Sequence, residues 1–160
     1  MDKPYVGFFY KRKMDKNYIK EILAKDIHSL GCEIWGIEFF GKQKNQTLRI
    51  YIDNKNGISI EDCEKVSKHV IKLLDVEGDF SNKYLLEVSS PGLERKFFSE
   101  NQYQRYIDCD IKVRYLNDLN KKITITGILS EVIKEGLIIG SGDKFQKVPF
   151  SSIIQANLIM

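Results

Sequence analysis

The run Lys83-Tyr-Leu-Leu-Glu-Val-Ser-Ser-Pro-Gly-Leu-Glu-Arg95 divides this chain into two textures. It starts as a strand, with Leu86 and Val88 on one face of the pleat and Leu85, Glu87 and Ser89 on the other. Pro91 has no amide hydrogen to give a ladder and Gly92 tolerates positive φ, so the strand is expected to end in a turn. A short charged piece, Glu94-Arg95-Lys96, then leads into the apolar pair Phe97-Phe98. Upstream the periodicity alternates between helix and strand, whereas downstream it is all short strands and turns. The expected division is a flexible basic arm at 1–14, an α+β domain at 15–90, a connector at 91–96 and a β domain at 97–160.

Working back from the divide, a helix is expected from Asp15, a plausible N-cap, to Leu30. Ile19, Ile22, Leu23, Ile27 and Leu30 recur at helical spacing, and Gly31 stands where a glycine stops a helix. Glu33–Phe40 reads as a strand with Trp35, Ile37 and Phe39 on one face. Thr47–Asp53 reads as a second, with Leu48, Ile50 and Ile52 opposite Arg49, Tyr51 and Asp53. The short polar loop between them predicts an antiparallel hairpin. Ser59 with Asp62 three residues on resembles a capping box, and Cys63, Val66, Val70, Leu73 and Leu74 give the following helix an apolar face through to Asp75. Glu77–Asn82 reads as a loop. The order is αββαβ: a three-stranded sheet with two helices expected on one face.

Beyond the divide, Ser99–Tyr106 is expected to form a short helix. Strands follow at Ile111–Tyr115, Ile123–Val132, Leu137–Gly140, Phe145–Phe150 and Gln155–Ile159, joined by turn chemistry such as Ser141-Gly-Asp143. So many short strands in so little chain predict a small SH3-like or Sm-like β-barrel, since closure removes exposed edges. Ser151-Ser-Ile153 suits a single 3₁₀ turn before the last strand.

The composition, 42% hydrophobic and 29% charged, is that of a soluble globular protein rather than a disordered one. A net charge of +3, spread evenly, argues against a life of non-specific phosphate contacts, which calls for a clear basic excess. Nucleic acid would then be met through a local patch or a protein partner. Cys32, Cys63 and Cys109 are scattered, which fits a reducing compartment better than disulfides or zinc. With no apolar stretch long enough to cross a membrane and no secretory h-region, the cytoplasm is the expected location.

The motifs of enzymes are missing. The sequence has no phosphate loop, no dinucleotide fingerprint, no H-E-x-x-H and no nucleophile elbow. His28 and His69 fall within helices, where a helix-surface role is the ordinary one. Ser89 and Ser90 stand at a strand end, where hydroxyls usually cap backbone groups, and nothing near them in sequence supplies a base. The αββαβ order invites comparison with KH-type RNA clamps, but there is no G-x-x-G loop. Two readings remain for Ser89, Ser90, Pro91, Gly92, Leu93 and Arg95. In one they form a stiff connector in which Leu93 packs and Glu94 and Arg95 pair across the junction. In the other Arg95 faces a partner. The Arg49-Tyr51-Asp53 face is in turn either a solvated sheet face or a protein-docking surface.

Leu86-Glu-Val-Ser-Ser-Pro-Gly-Leu-Glu-Arg95 closely resembles the signature of the bacterial ribosome maturation factor RimP family. Gly31–Phe39 and Leu48-Arg-Ile-Tyr-Ile-Asp53 look like that family's first two strands. Gly57–Cys63, continuing through Val66-Ser67 to Leu74-Asp75, is similar to its second helix, and Ile154–Leu158 to its final strand. The resemblance covers most of residues 15–160 in order. It implies an N-terminal α+β domain, a C-terminal SH3-like barrel and a non-catalytic, cofactor-free factor that binds the immature small (30S) ribosomal subunit and promotes its assembly. It further implies action near the central pseudoknot and decoding region, together with small-subunit protein twelve and nearby rRNA, as a monomer with no membrane or small-molecule substrate. Arg49, Asp53, Asp62 and Ser67 match family positions. One departure is Lys96, where the family usually has proline; a lysine there leaves one φ free and one more amide, so a looser junction is expected. A general RNA-binding regulator using the barrel and the basic arm is the alternative.

Overall fold

The computed structural model describes residues 14–42, 44, 46–78 and 80–160. Apart from Met14, the basic arm expected at 1–14 lies outside the described residues. Helix α1 (Lys16–Ser29) starts where Asp15 accepts a hydrogen bond from the Tyr18 amide at 2.9 Å, and it is followed by Gly31 at φ 83°. Strands β1 (Glu33–Phe40) and β2 (Gln46–Asp53) form the antiparallel hairpin. Helix α2 (Ile60–Gly78) crosses over to β3 (Tyr84–Ser89), which pairs parallel with β2, so the sheet order is β1-β2-β3. Helix α2 runs past Asp75 to Gly78, and a 3₁₀ turn at Phe80–Asn82 takes part of the expected loop.

Ile19, Leu23 and Ile27 of α1, Val66, Val70 and Leu74 of α2, and Leu48, Ile50 and Ile52 of β2 are each fully buried in one core. Both helices therefore cover one face of the sheet, and the Arg49-Tyr51-Asp53 face is left to something else. Trp35 departs from the expected alternation. Ile34 pairs with Ile52 and Gly36 with Tyr51, so Trp35 is the extra residue of a β-bulge. The bulge removes it from the face of Ile37 and Phe39, which stay with the helices, and delivers it to a second core.

That second core belongs to the rest of the chain. Helix α3 (Glu100–Tyr103) and a 3₁₀ turn at Gln104–Tyr106 precede β4 (Asp110–Leu116), β5 (Lys122–Ile133), β6 (Gly136–Ser141), β7 (Lys144–Pro149) and β8 (Ile153–Leu158). They form one antiparallel sheet in the order β7-β6-β5-β4-β8. Phe150, expected to end a strand, instead opens the 3₁₀ turn Phe150–Ser152 before β8. Ile111, Val113, Leu129, Leu137, Ile139 and Val148 are fully buried on its inner face, with Trp35, Phe97 and Tyr103 among them. The β5–β6 approach is close enough that a Cβ on Gly127 would lie 2.3 Å from the Gly140 carbonyl oxygen, which is why a glycine stands there.

Candidate functional site

The two sheets meet along the helix-free face of the first, and the decisive residues come from β1, β2 and the segment after Pro91. Gly92 takes φ 79°, a left-handed turn that glycine adopts without strain. The chain then runs beside β8: Lys96 lies opposite Asn157, the Phe97 amide donates to the Ala156 carbonyl at 2.9 Å, and the Leu158 amide donates to the Arg95 carbonyl at 2.9 Å. The connector is thereby hydrogen-bonded to the second sheet on either side of Lys96.

Trp35 locks the first sheet to this segment. Its indole Nε1 donates to the Lys96 carbonyl at 2.8 Å, and its own carbonyl accepts from Gln102 Nε2 at 2.6 Å. A bulge leaves backbone groups out of the ladder, and here the Gln102 side chain satisfies one of them. The same glutamine accepts from the Phe98 amide at 2.7 Å and the Ser99 amide at 3.2 Å, so it ties the start of α3 to the bulge. Trp35 also meets Tyr106 edge-on at 6.2 Å between ring centres. Gly36 has Phe98 against it, so close that a Cβ would lie 2.2 Å from the ring.

Arg95 is held on three sides. Its Nη1 is 2.6 Å from Asp53 Oδ2, its Nε donates to the Gly92 carbonyl at 3.2 Å, and its guanidinium sits 4.7 Å above the Trp35 ring. Only 17% of its side chain and 20% of that of Asp53 remain exposed, so the pair is largely withdrawn from solvent. Glu94 is not its partner, and Leu93, expected to pack, is 71% exposed. With glycine turning the chain at 92, Leu93 faces outward while Arg95 turns in.

Below Arg95 a polar row crosses the sheet. Glu38, Arg49 and Glu87 are register partners on β1, β2 and β3. Arg49 Nε donates to Glu87 Oε2 at 2.7 Å and Nη1 to the Tyr51 hydroxyl at 3.3 Å; that hydroxyl donates to Glu38 Oε2 at 3.3 Å. The Arg49 guanidinium is held protonated more firmly than usual, first by the Tyr51 bond and then by Glu87. Glu38, the buried acid among the described residues, also receives Lys96 Nζ from the far side of the junction. Tyr51 packs on Phe98 at 5.4 Å. Past this row, Phe40 stands partly exposed and Leu85 stands 67% exposed at the far end of the face.

The other expected positions fall elsewhere. The Ser59 amide donates to Asp62 Oδ2 at 2.9 Å and the Asp62 amide donates to the Ser59 hydroxyl at 3.1 Å, the capping box of α2; hydrogen bonding from Ser59, its amide first, holds the Asp62 carboxyl below the usual range. Ser67 lies half-buried on α2, the helix that packs on the opposite face of the sheet from Arg49. Ser89 Oγ donates to the Ser90 carbonyl at 3.0 Å, Ser90 is exposed, and Pro91 is half-buried. Asp53, Gly92 and Arg95 are thus brought together, Arg49 lies one step along the same face, and Asp62 and Ser67 are apart. Sequence reasoning missed Trp35 as a junction residue, and with it Gly36, Glu38, Gln102 and the role of Lys96. One signal was present: a glycine inside an alternating strand marks a bulge or a close approach.

Among the described residues no three His, Cys, Asp or Glu side chains gather as a metal group. No helix of the described residues is long and apolar enough to cross a membrane. His69 Nε2 faces Asp26 at 3.3 Å between the two helices rather than a cleft. The fold and the seam define a two-part class of protein: an α+β unit whose helix-free face is clamped, by aromatic rings and partly buried ion pairs, to a five-stranded antiparallel sheet. Residues 22–94 match the model of the RimP N-terminal domain. This domain match supports assignment to the RimP family of ribosome maturation factors.

Proposed function

We propose that this protein is a non-catalytic assembly factor that binds the immature small ribosomal subunit and promotes its maturation in the cytoplasm. The observation that carries this reading is the RimP N-terminal domain at 22–94, ending at the turn that Arg95 secures. In this proposal the chain works as a monomer of two domains, 15–90 and 97–160, with 91–96 as the connector. The second is read as an SH3-like barrel, supported by the meander order of its strands and the 3₁₀ turn before β8. Small-subunit protein twelve and nearby rRNA are the proposed contacts. The exposed end of the helix-free face, Phe40 with Leu85 beside the Arg49–Glu87 pair, is the mixed apolar and charged surface offered to the protein. Arg95 and Asp53 act as positioning residues that fix the angle between the two sheets.

An assembly factor that works by binding alone requires different affinities for precursor and mature particles, because equal affinities shift no equilibrium. The test is co-sedimentation of the full chain with precursor small subunits, mature small subunits, large subunits and free rRNA, at low and raised salt. Retention on precursor small subunits at raised salt is expected. Equal retention on mature particles, or binding to every RNA that vanishes with salt, would overturn the proposal, and the latter would favour a general RNA-binding regulator.

A further inference from the structure

The outward face of β4, β5 and β8 is a polar groove of about 590 Å³ that borders the seam around Arg95 at Glu94, Asn157 and Leu158. Lys112 and Arg114 lie at its centre on β4, the strand between β5 and β8. Register puts Thr126 and Asn157 on either side of Lys112, and Thr124 and Gln155 on either side of Arg114. Lys122, next in the row of exposed β5 residues, extends the basic line. Lys112 and Arg114 enter no ion pair among the described residues; Arg114 makes one long contact, 3.5 Å, to Gln155 Oε1. Gln155 and Asn157 bond to each other at 2.9 Å, and Asn157 Nδ2 reaches the Glu94 carbonyl at 3.4 Å, which fixes a row of amides along β8. The acids are at the ends: Glu94 on the rim and Asp110 at the start of β4.

We infer that this groove binds the sugar–phosphate backbone of a base-paired RNA segment. Two cations one pleat apart, about 7 Å, can reach successive phosphates of one strand, and flanking hydroxyls and amides suit phosphate and 2′-hydroxyl oxygens. No aromatic ring lines the groove, so it has no platform on which the bases of a single strand would stack. A protein partner is disfavoured because the lining has no aromatic anchor of the kind that centres protein interfaces. The inference deepens the assembly-factor reading and rests on it for the source of the RNA.

The test is fluorescence anisotropy of the full chain with a labelled RNA hairpin and an unpaired RNA of equal length, over a range of salt. It compares the unmodified protein with the double variant Lys112→Gln and Arg114→Gln, whose exposed positions leave the melting temperature unchanged. The hairpin is expected to bind better than the unpaired RNA. The double variant should lose at least about tenfold in hairpin affinity and about 2 in the slope of log K against log salt, one phosphate contact per cation. Unchanged affinity and slope, equal binding of the unpaired strand, or no hairpin binding by the unmodified protein would each overturn it. Co-sedimentation of the unmodified protein separates the two claims. If it binds small-subunit precursors but the hairpin results fail, only the groove assignment falls. Loss of precursor binding in the double variant with hairpin binding intact would make the groove a protein contact.

Discussion

Arg95 and Asp53, 42 residues apart in sequence, meet at 2.6 Å with the Trp35 ring beneath the guanidinium. The pair joins the end of β2 to the connector and places the charge of Arg95 against an indole rather than toward solvent. Removing one partner of a largely buried pair leaves the other charged and unmatched, and this costs more than the pair itself is worth. Arg95→Ala is expected to destabilise the protein by about 3 kcal/mol and Asp53→Asn by a similar amount, both read from urea denaturation. The double substitution should fall short of the sum by at least about 1 kcal/mol. Strict additivity would show that the two do not act through each other.

At Gly36 the backbone of the first sheet lies directly against a ring from the second half. A methyl group there meets the body of the Phe98 ring, which has no flexible end to move aside. Gly36→Ala should cost about 1–3 kcal/mol, the usual range for overpacking. In a Phe98→Ala background the same substitution should cost much less. An equal penalty in both backgrounds would place the strain in the strand instead of the ring contact.

Lys96 shows how the chain does without the family's proline. The bonds flanking its pairing with Asn157 are made by Phe97 and Arg95, so the Lys96 amide points away from β8 and a proline would break neither bond. Lys96→Ala and Lys96→Pro both remove the partner of Glu38. Proline also restricts the unfolded chain, so Lys96→Pro is expected to be more stable than Lys96→Ala by about 0.5–1 kcal/mol. A proline variant less stable than the alanine one would mean that this amide has a partner the family's proline must forgo.

Burial, with a smaller contribution from Glu100, pushes the Tyr103 hydroxyl up to about 12. The folded state therefore keeps this proton after the unfolded chain, with a tyrosine near 10, has lost it. Stability is undiminished by this group below about pH 10 and declines as pH rises toward 12, by about 2–3 kcal/mol in all. The loss should be absent in Tyr103→Phe when the two proteins are melted side by side across this range. Parallel curves would show that Tyr103 titrates normally.

Local signals were enough for much of the fold. Asp15 and Gly31 bracket α1, Ser59 and Asp62 start α2, and the strict alternation of β2 puts Leu48, Ile50 and Ile52 on the helices. These depend on neighbours within a turn or a pleat, so the order of residues alone specifies them. The five strands after Arg95 were legible for the same reason, as was the motif that ends in Arg95. The partner of Arg95 was not: choosing Asp53 over the adjacent Glu94 depends on where Gly92 points the chain. Nor was the side that Trp35 takes, because a single extra residue in β1 reverses every later face, and pairing with β2 decides where that residue goes. Glu38, Gln102 and Lys96 look like ordinary surface residues in sequence. They became junction residues only when two sheets, each with its own core, closed over them, because long-range burial is what turns an exposed charge into a partnered one.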